Sequence, residues 1–385
     1  MTEYAAELAG MGLFTGIAQH ENFCRMHTVV PSARMTASSE PQQWPVGDPM
    51  ELPASYEFAG RSKSFEDFFV ETDTAALLVL QGGVIRHEQY ALTGGPDVPW
   101  ISMSVAKSVV SALVGIAVAE GHIRSIDAPI SDYVPVAPGS AYDGVSIKDV
   151  LQMSSGARWN EDYSDVDSDV FRLNAAMAGL GTLDEFVATV VRDNEPGAVC
   201  RYNSGDTQVL GALLVRATKR SITEYTQEKL FEPLGMTSPG YWLLDSTGME
   251  VAFAGLNMTA RDFAKFGELY RNSGRWQGNQ IVPEDWVRAS VTPDARHLQP
   301  GRPIVGTHRF DDYGYGYQWW VPAGDRGEFS AIGVYNQFVY VDPTADAVIV
   351  KLSANRAYGT SDGESTNREA ETLAFLRSIT SMLRS

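Results

Sequence analysis

The chain has 385 residues, 44% of them apolar and 20% charged, with a formal net charge of −18. That length accommodates two lobes, or one core with a large insertion, and the composition is that of an ordinary globular protein rather than a disordered one. The acidic balance argues against nucleic acid and anionic membrane as partners, because a binder of either gathers Lys and Arg on one face.

The N-terminus, MTEYAAELAGMGLFTGIAQHENF, carries acidic residues near its start, no basic segment and no sustained apolar run, so it does not read as a secretory leader. No stretch of about 18 to 20 uninterrupted apolar residues offers a membrane span. Cys24 and Cys200 lie far apart, with no Cys-x-x-Cys and no Cys/His cluster. Neither a disulfide framework nor a structural zinc site is expected, and a cytoplasmic location is.

From Thr28 to Gly60 the chain is rich in Pro, Ser and Gln and reads as an extended arm over a core. Ala75 to Gln81, two glycines, and Val84 to Tyr90 predict a hairpin. A helix from Ser104 to Gly121 follows. Between Ile123 and Arg271 the segments SIKDVLQM, TLDEFVATVVRDN, DTQVLGALLVRATK and SITEYTQEKLFEPLGM predict a helical lobe, with Asp127, Asp184 and Ser221 as caps and Gly235 as a stop. TARDFAKFGELYRN after Asn257 and PEDWVRASV from Pro283 add two more helices.

After Tyr313 the pattern turns to strands, in YGYQWWVP, EFSAIGVYNQFVYVDP and DAVIVKLSAN, and a helix from Asn367 to Leu383 closes the chain. The simplest architecture is an α/β (α+β) fold that joins both strand blocks into one antiparallel sheet flanked by helices. Residues 1–125 plus 285–385 then form one domain, and 126–284 an inserted all-helical domain with the active site between them.

The reactive pattern is SMSVAKS, Ser102 to Ser108, opening an apolar helix. Residues three apart share a helix face, so the Lys107 amine can reach the Ser104 hydroxyl. A lysine serves as base only when desolvation or a nearby positive charge neutralises it, and this apolar helix supplies desolvation. Free N–H groups in the first turn favour an anion forming beside Ser104. Alone, the pair reads more readily as a helix cap beside a snorkelling lysine.

Two further stretches change that balance. In GAVCRYNSGDTQVLGALL, Tyr202 sits in a turn before a helix, where a phenol beside Lys107 can relay protons. In EFSAIGVYNQFVYVDP, read as a single strand, Gly333 suggests close backbone approach. The next N–H, on Val334, can pair with that of Ser104 as an oxyanion hole.

Ser104-x-x-Lys107, Tyr202-x-Ser204 and Ala331-x-Gly333, in this order, resemble the penicillin-recognising serine hydrolases, closest to the class C β-lactamase-like (family VIII) esterases and the 6-aminohexanoate-dimer hydrolase group. The accessory stretches VPSA, AEGHI, NEDY and TARDFAKFG extend the resemblance from about Val30 to the C-terminus. It implies a β-lactamase/transpeptidase-like fold and an acyl-enzyme on Ser104, with Lys107 as proton acceptor or electrostatic partner and Tyr202 as general acid/base. It also implies an oxyanion hole from Ser104 and Val334. No metal or cofactor is expected.

Departures from the family pattern narrow the substrate. Ser204 stands where an asparagine commonly meets the substrate amide, with Asn203 before it. The third motif often opens with Lys or His, a cation that can hold a carboxylate, whereas Ala331 carries no charge. Esters or small linear amides are therefore expected over β-lactams or D-alanyl peptides, which stay as the alternative beside a non-catalytic ligand-binding role. Tyr163 matches a tyrosine that contacts the substrate amide in the nylon-oligomer hydrolases, and Asn174 stands where that group can carry an amine-binding aspartate. Trp159, Tyr163, Tyr313, Tyr315 and Trp319 are candidate pocket walls, and the acidic loop around Tyr163 reads equally as a solvated lid. GTSDG, Gly359 to Gly363, mimics a nucleophile elbow, but the last histidine, His308, precedes it. Oligomeric state is left open.

Overall fold

The structure, a computed structural model, describes residues 3–177, 179–305, 312–361 and 363–384. His308 and Asp362 of the GTSDG stretch lie outside the described residues. The chain opens with helix α1 (Glu3–Gly10), strand β1 (Ser32–Met35), the hairpin β2 (Thr74–Gln81) and β3 (Val84–Tyr90), and the short strand β4 (Trp100–Ile101). Helices α2 (Val105–Ala119) and α3 (Ser204–Thr218) follow, then β5 (Gly240–Leu243), β6 (Leu256–Met258) and α4 (Ala260–Arg271). The last part holds β7 (Tyr313–Tyr315), β8 (Trp320–Pro322), β9 (Phe329–Gly333), β10 (Gln337–Asp342), β11 (Ala347–Ser353) and α5 (Glu369–Leu383).

Gly82 and Gly83 take φ of 59° and 73°, the doubly left-handed turn whose twist suits a hairpin. Among the described residues a seven-stranded antiparallel sheet runs β7-β8-β9-β10-β11-β2-β3, so the two strand blocks do join. The join is the pairing of Val348 with Leu80 and Val350 with Leu78. Alternation along β11 divides the core: Val348 and Val350 face the cluster holding α2 and α4, and Ile349 faces that of Phe375, Leu376 and Ile379 on α5. Helix α4 lies within the 126–284 stretch yet packs on β11 and β10.

Helix α2 is buried on every face from Val105 to Ala117, as its apolar sequence requires, and packs against α3. A smaller four-stranded sheet, β1-β5-β6-β4, leads directly into Ser102. Among the described residues no helix is long and apolar enough to cross a membrane.

Several local expectations are corrected. Part of the presumed arm is strand: Ser32 to Met35 pairs with Leu243 to Gly240, and Ser55–Phe58 pairs with Arg61–Ser64. The partner of the first is about two hundred residues away, so no local pattern announces it. Asp184 sits in the first helical turn, and the cap is Thr182, completed by Glu185 in a capping box. Asp127 caps no helix and accepts from Ser125. EFSAIGVYNQFVYVDP is a hairpin rather than one strand, because Tyr335 and Asn336 take φ of 65° and 66° and reverse the chain after Gly333.

Candidate active site

Ser104 is the residue at the N-terminal boundary of α2, and its side chain makes no capping hydrogen bond. The capping role that the isolated motif suggested is thus left unused. Met103 before it holds a left-handed φ of 46°, an unfavourable conformation for a side chain this size, sustained by the strand and helix on either side. Lys107 is 1% exposed, and its Nζ donates to Ser104 Oγ at 3.1 Å, Ser204 Oγ at 3.0 Å and the Phe253 carbonyl at 2.9 Å. Burial pulls the ammonium down to about 8, while the negative charge of Glu161 resists.

Tyr202 is brought in by the turn preceding α3. Lys107 Nζ stands 5.3 Å from the centroid of its ring, which packs against Trp320 at 5.1 Å and Tyr315 at 6.2 Å. Asn203 caps α3, accepting from Gly205 N at 2.7 Å, while its amide donates to Asp206 Oδ1 at 2.8 Å. Asp206 also accepts from Tyr142 and Ser155, and its burial raises the carboxyl to about 7. Asn203 is thereby committed to the helix, and Ser204 faces Lys107.

Glu161 is not among the residues that the sequence singles out, and its loop reads equally as a substrate contact and as a solvated lid. Glu161 itself is 3% exposed and accepts from Ser204 Oγ at 2.5 Å, Ser204 N at 3.0 Å, Tyr163 OH at 2.8 Å and the Trp159 indole. The available signal was the alternation Trp159-x-Glu161-x-Tyr163, which sets an aromatic donor on each side of one carboxylate. Because the Ser204 proton goes to Glu161, the Ser204 oxygen can only accept from Lys107.

The proposed substrate contacts divide accordingly. Ser204 and Trp159 support Glu161 and do not line the cavity described below, whereas Tyr163 and Asn174 do. The Tyr163 proton is directed at Glu161, so this side chain offers the cavity its ring. Trp319 is core, packed on Tyr270 and Phe266, and Tyr313 and Tyr315 are buried.

Gly333 ends β9 against the Ser104 turn: a Cβ there would lie 2.7 Å from the Ser102 oxygen and 2.9 Å from Ser104 N. This approach sets Val334 beside Ser104 on one cavity wall. Buried Gln337 fixes the turn, donating to the Val334 carbonyl at 3.2 Å and accepting from the Trp100 indole at 3.1 Å. Ala331 is buried within β9. The cavity, of about 400 Å³, extends from Ser104, Met103 and Val334 past Phe253 toward Asn174 and Tyr163, under a cover formed by residues from Leu8 to Thr15. No Asp, Glu, Lys or Arg is among the described residues that line it.

A family model described as Beta-lactamase matches residues 63–374. A 6-aminohexanoate-dimer hydrolase of Paenarthrobacter ureafaciens is 32% identical over 340 residues, covering 86% of this chain and 84% of that protein. Among solved structures, one from Bacillus anthracis, provisionally assigned as a 6-aminohexanoate-dimer hydrolase, superposes with a TM-score of 0.82 at 22% identity, covering 94% of this chain and 93% of its own. EstCE1, a hydrolase with promiscuous acyltransferase activity, gives 0.61 at 15% identity over 83% and 97% of the two chains. At these identities the two structures speak for the fold alone.

Proposed function

Since the chain belongs to the Beta-lactamase family and is a serine hydrolase, we propose that Ser104 is its nucleophile and that it cleaves uncharged carboxylic esters or small linear amides through an acyl-enzyme. The observation that carries this reading is the buried Lys107 amine, held between Ser104 Oγ and two fixed acceptors. Once neutral, the amine keeps two N–H bonds for Ser204 Oγ and the Phe253 carbonyl, and its lone pair faces the Ser104 hydroxyl. Ser104 attacks the scissile carbonyl as its proton passes to the Lys107–Tyr202 pair, and the same pair protonates the leaving group. The N–H groups of Ser104 and Val334 receive the oxyanion. Water then takes the place of the leaving group and releases the acid.

The site draws on both parts of the chain, Ser104 and Val334 from one and Glu161 and Tyr202 from the other, which supports a site between them; the 126–284 part is not all-helical, since β5 and β6 pair with β1 and β4 and α4 packs on the large sheet. A cytoplasmic setting is supported by two cysteines that are both free.

The acyl group we infer is uncharged. A terminal ammonium or carboxylate would leave water for a cavity with no charged side chain among the described residues that line it, at a cost of about 3–5 kcal/mol for an unpaired buried ion. A fluorophosphonate probe is expected to add its mass to the peptide containing Ser104. In a panel of p-nitrophenyl hexanoate, its 6-amino counterpart and a chromogenic cephalosporin, kcat/KM is highest for hexanoate, by about 10²- to 10³-fold or more over the amino ester. Equal rates on the two esters would reject the uncharged-acyl assignment, and an unlabelled Ser104 would reject the mechanism.

Glu161 acts by positioning. Its charge stabilises the Lys107 ammonium, so Glu161→Gln lowers the lysine further, and the rising limb of kcat/KM against pH, near 8 in the wild type, moves down by about one unit. A limb that stays in place or moves up would remove Glu161 from this role.

A further inference from the structure

The cavity beside Ser104 is not closed by the residues that surround the nucleophile. Its outer wall comes from the start of the chain, where α1 and the loop after it contribute Leu8, Ala9, Leu13 and Phe14. Phe14 is the centre of this contact. Its ring stacks on Tyr163 at 4.6 Å and on Tyr335 at 4.9 Å and meets Phe171 edge-on at 5.7 Å. Its backbone N–H donates to the Tyr335 hydroxyl at 2.8 Å.

The loop is also held from behind. Buried Gln19 donates to the carbonyls of Met11 at 2.8 Å and Gly12 at 3.2 Å. Gly12 and Phe14 take left-handed φ of 64° and 63°, which turns the chain back over the cavity. A phenylalanine holds that conformation only where its surroundings over-determine it, and here three rings and a hydrogen bond do so.

We propose that this N-terminal segment is the specificity element of the enzyme: it ends the acyl pocket and so sets the length of the uncharged, apolar acyl chain that Ser104 accepts. The inference rests on the hydrolase reading given above. The cavity is the acyl side because the leaving group must depart toward the groups that protonate it, Lys107 and Tyr202, and neither of these lines the cavity. Phe14 closes a sequence of contacts that runs from Ser104 through Val334 and Tyr335. Removing its ring lengthens the pocket, and adding a ring at Ala9, an exposed position on α1 that borders the cavity, shortens it.

The test uses the 385-residue chain with p-nitrophenyl butyrate and p-nitrophenyl octanoate. Phe14→Ala is expected to raise the octanoate-to-butyrate ratio of kcat/KM by about tenfold or more, and Ala9→Phe to lower it by a similar factor. Because Ala9 is exposed, the second variant keeps the test valid if loss of the Phe14 stack destabilises the first. Wild-type turnover with an unchanged ratio in both variants overturns the role of the segment and leaves the hydrolase reading standing. Absence of ester turnover and of a Ser104 adduct in the wild type overturns both.

Discussion

Ser104→Ala and Lys107→Met each lower kcat/KM for the preferred ester by about 10⁴-fold, and the double variant is no worse than either single one. The effects do not add because the two groups perform one step: without the amine the hydroxyl keeps its proton, and without the hydroxyl the amine has nothing to activate. Losses that multiply in the double variant would mean that the two residues act separately.

Lys107→Met has a second expected consequence, a higher stability at pH 7. The fall of the ammonium from 10.5 to about 8 on folding corresponds to about 3 kcal/mol against the folded state. The unfolded chain holds the proton more tightly, so this penalty is complete below pH 8, shrinks as the folded protein loses the proton above it, and is gone above 10.5. Methionine removes the penalty but leaves the Phe253 carbonyl and Ser204 without their donor, a loss of about 1–2 kcal/mol. The net is a Tm a few degrees higher at pH 7 that fades as the pH approaches 10. A variant that melts lower at pH 7, or whose gain ignores pH, would show that the buried lysine carries no such cost. Catalytic competence here is maintained against the stability of the fold.

What could be read in the sequence was local or periodic. Ser104 and Lys107 are one helical turn apart, the Gly82–Gly83 turn is fixed by two residues, and α2 announces its burial through an uninterrupted apolar face. The groups that were missed depend on long-range packing. Glu161 looks like any acid in a loop with Asp162, Asp165 and Asp167, and only its partners, one of them 43 positions later, make it a buried acceptor. The N-terminal segment carries no chemistry of its own, and Phe14 becomes part of a site because Tyr335, 321 residues on, receives it. The turn at Tyr335–Asn336 was concealed by β-forming neighbours on both sides, although an asparagine in that position is the usual sign of a left-handed residue. The pattern Ser-x-x-Lys alone did not separate a nucleophile from a cap; the absence of any capping bond from Ser104 removes the second reading and leaves the first as the proposal.

Gly333→Ala is the other large expected effect, and it acts without touching a reactive group. The added methyl would lie 2.7 Å from the Ser102 oxygen, 2.9 Å from Ser104 N and 3.0 Å from Met103 Cβ. Two of these are backbone atoms, which cannot rotate away as a flexible side chain would, so β9 and the Ser104 turn must separate. That separation moves the N–H groups of Ser104 and Val334 apart, and loss of one oxyanion donor lowers kcat by about 10²- to 10³-fold. Overpacking of this kind also costs about 1–3 kcal/mol of stability. The pH limb near 8 is expected to stay where it is, because Ser204, Phe253 and Glu161, which hold and tune Lys107, lie on other segments. A fall in kcat at constant limb is therefore the signature of a displaced oxyanion hole. A limb that moves with kcat would mean that the methyl has disturbed the lysine, and activity within about threefold of wild type would mean that Val334 takes no part in the reaction.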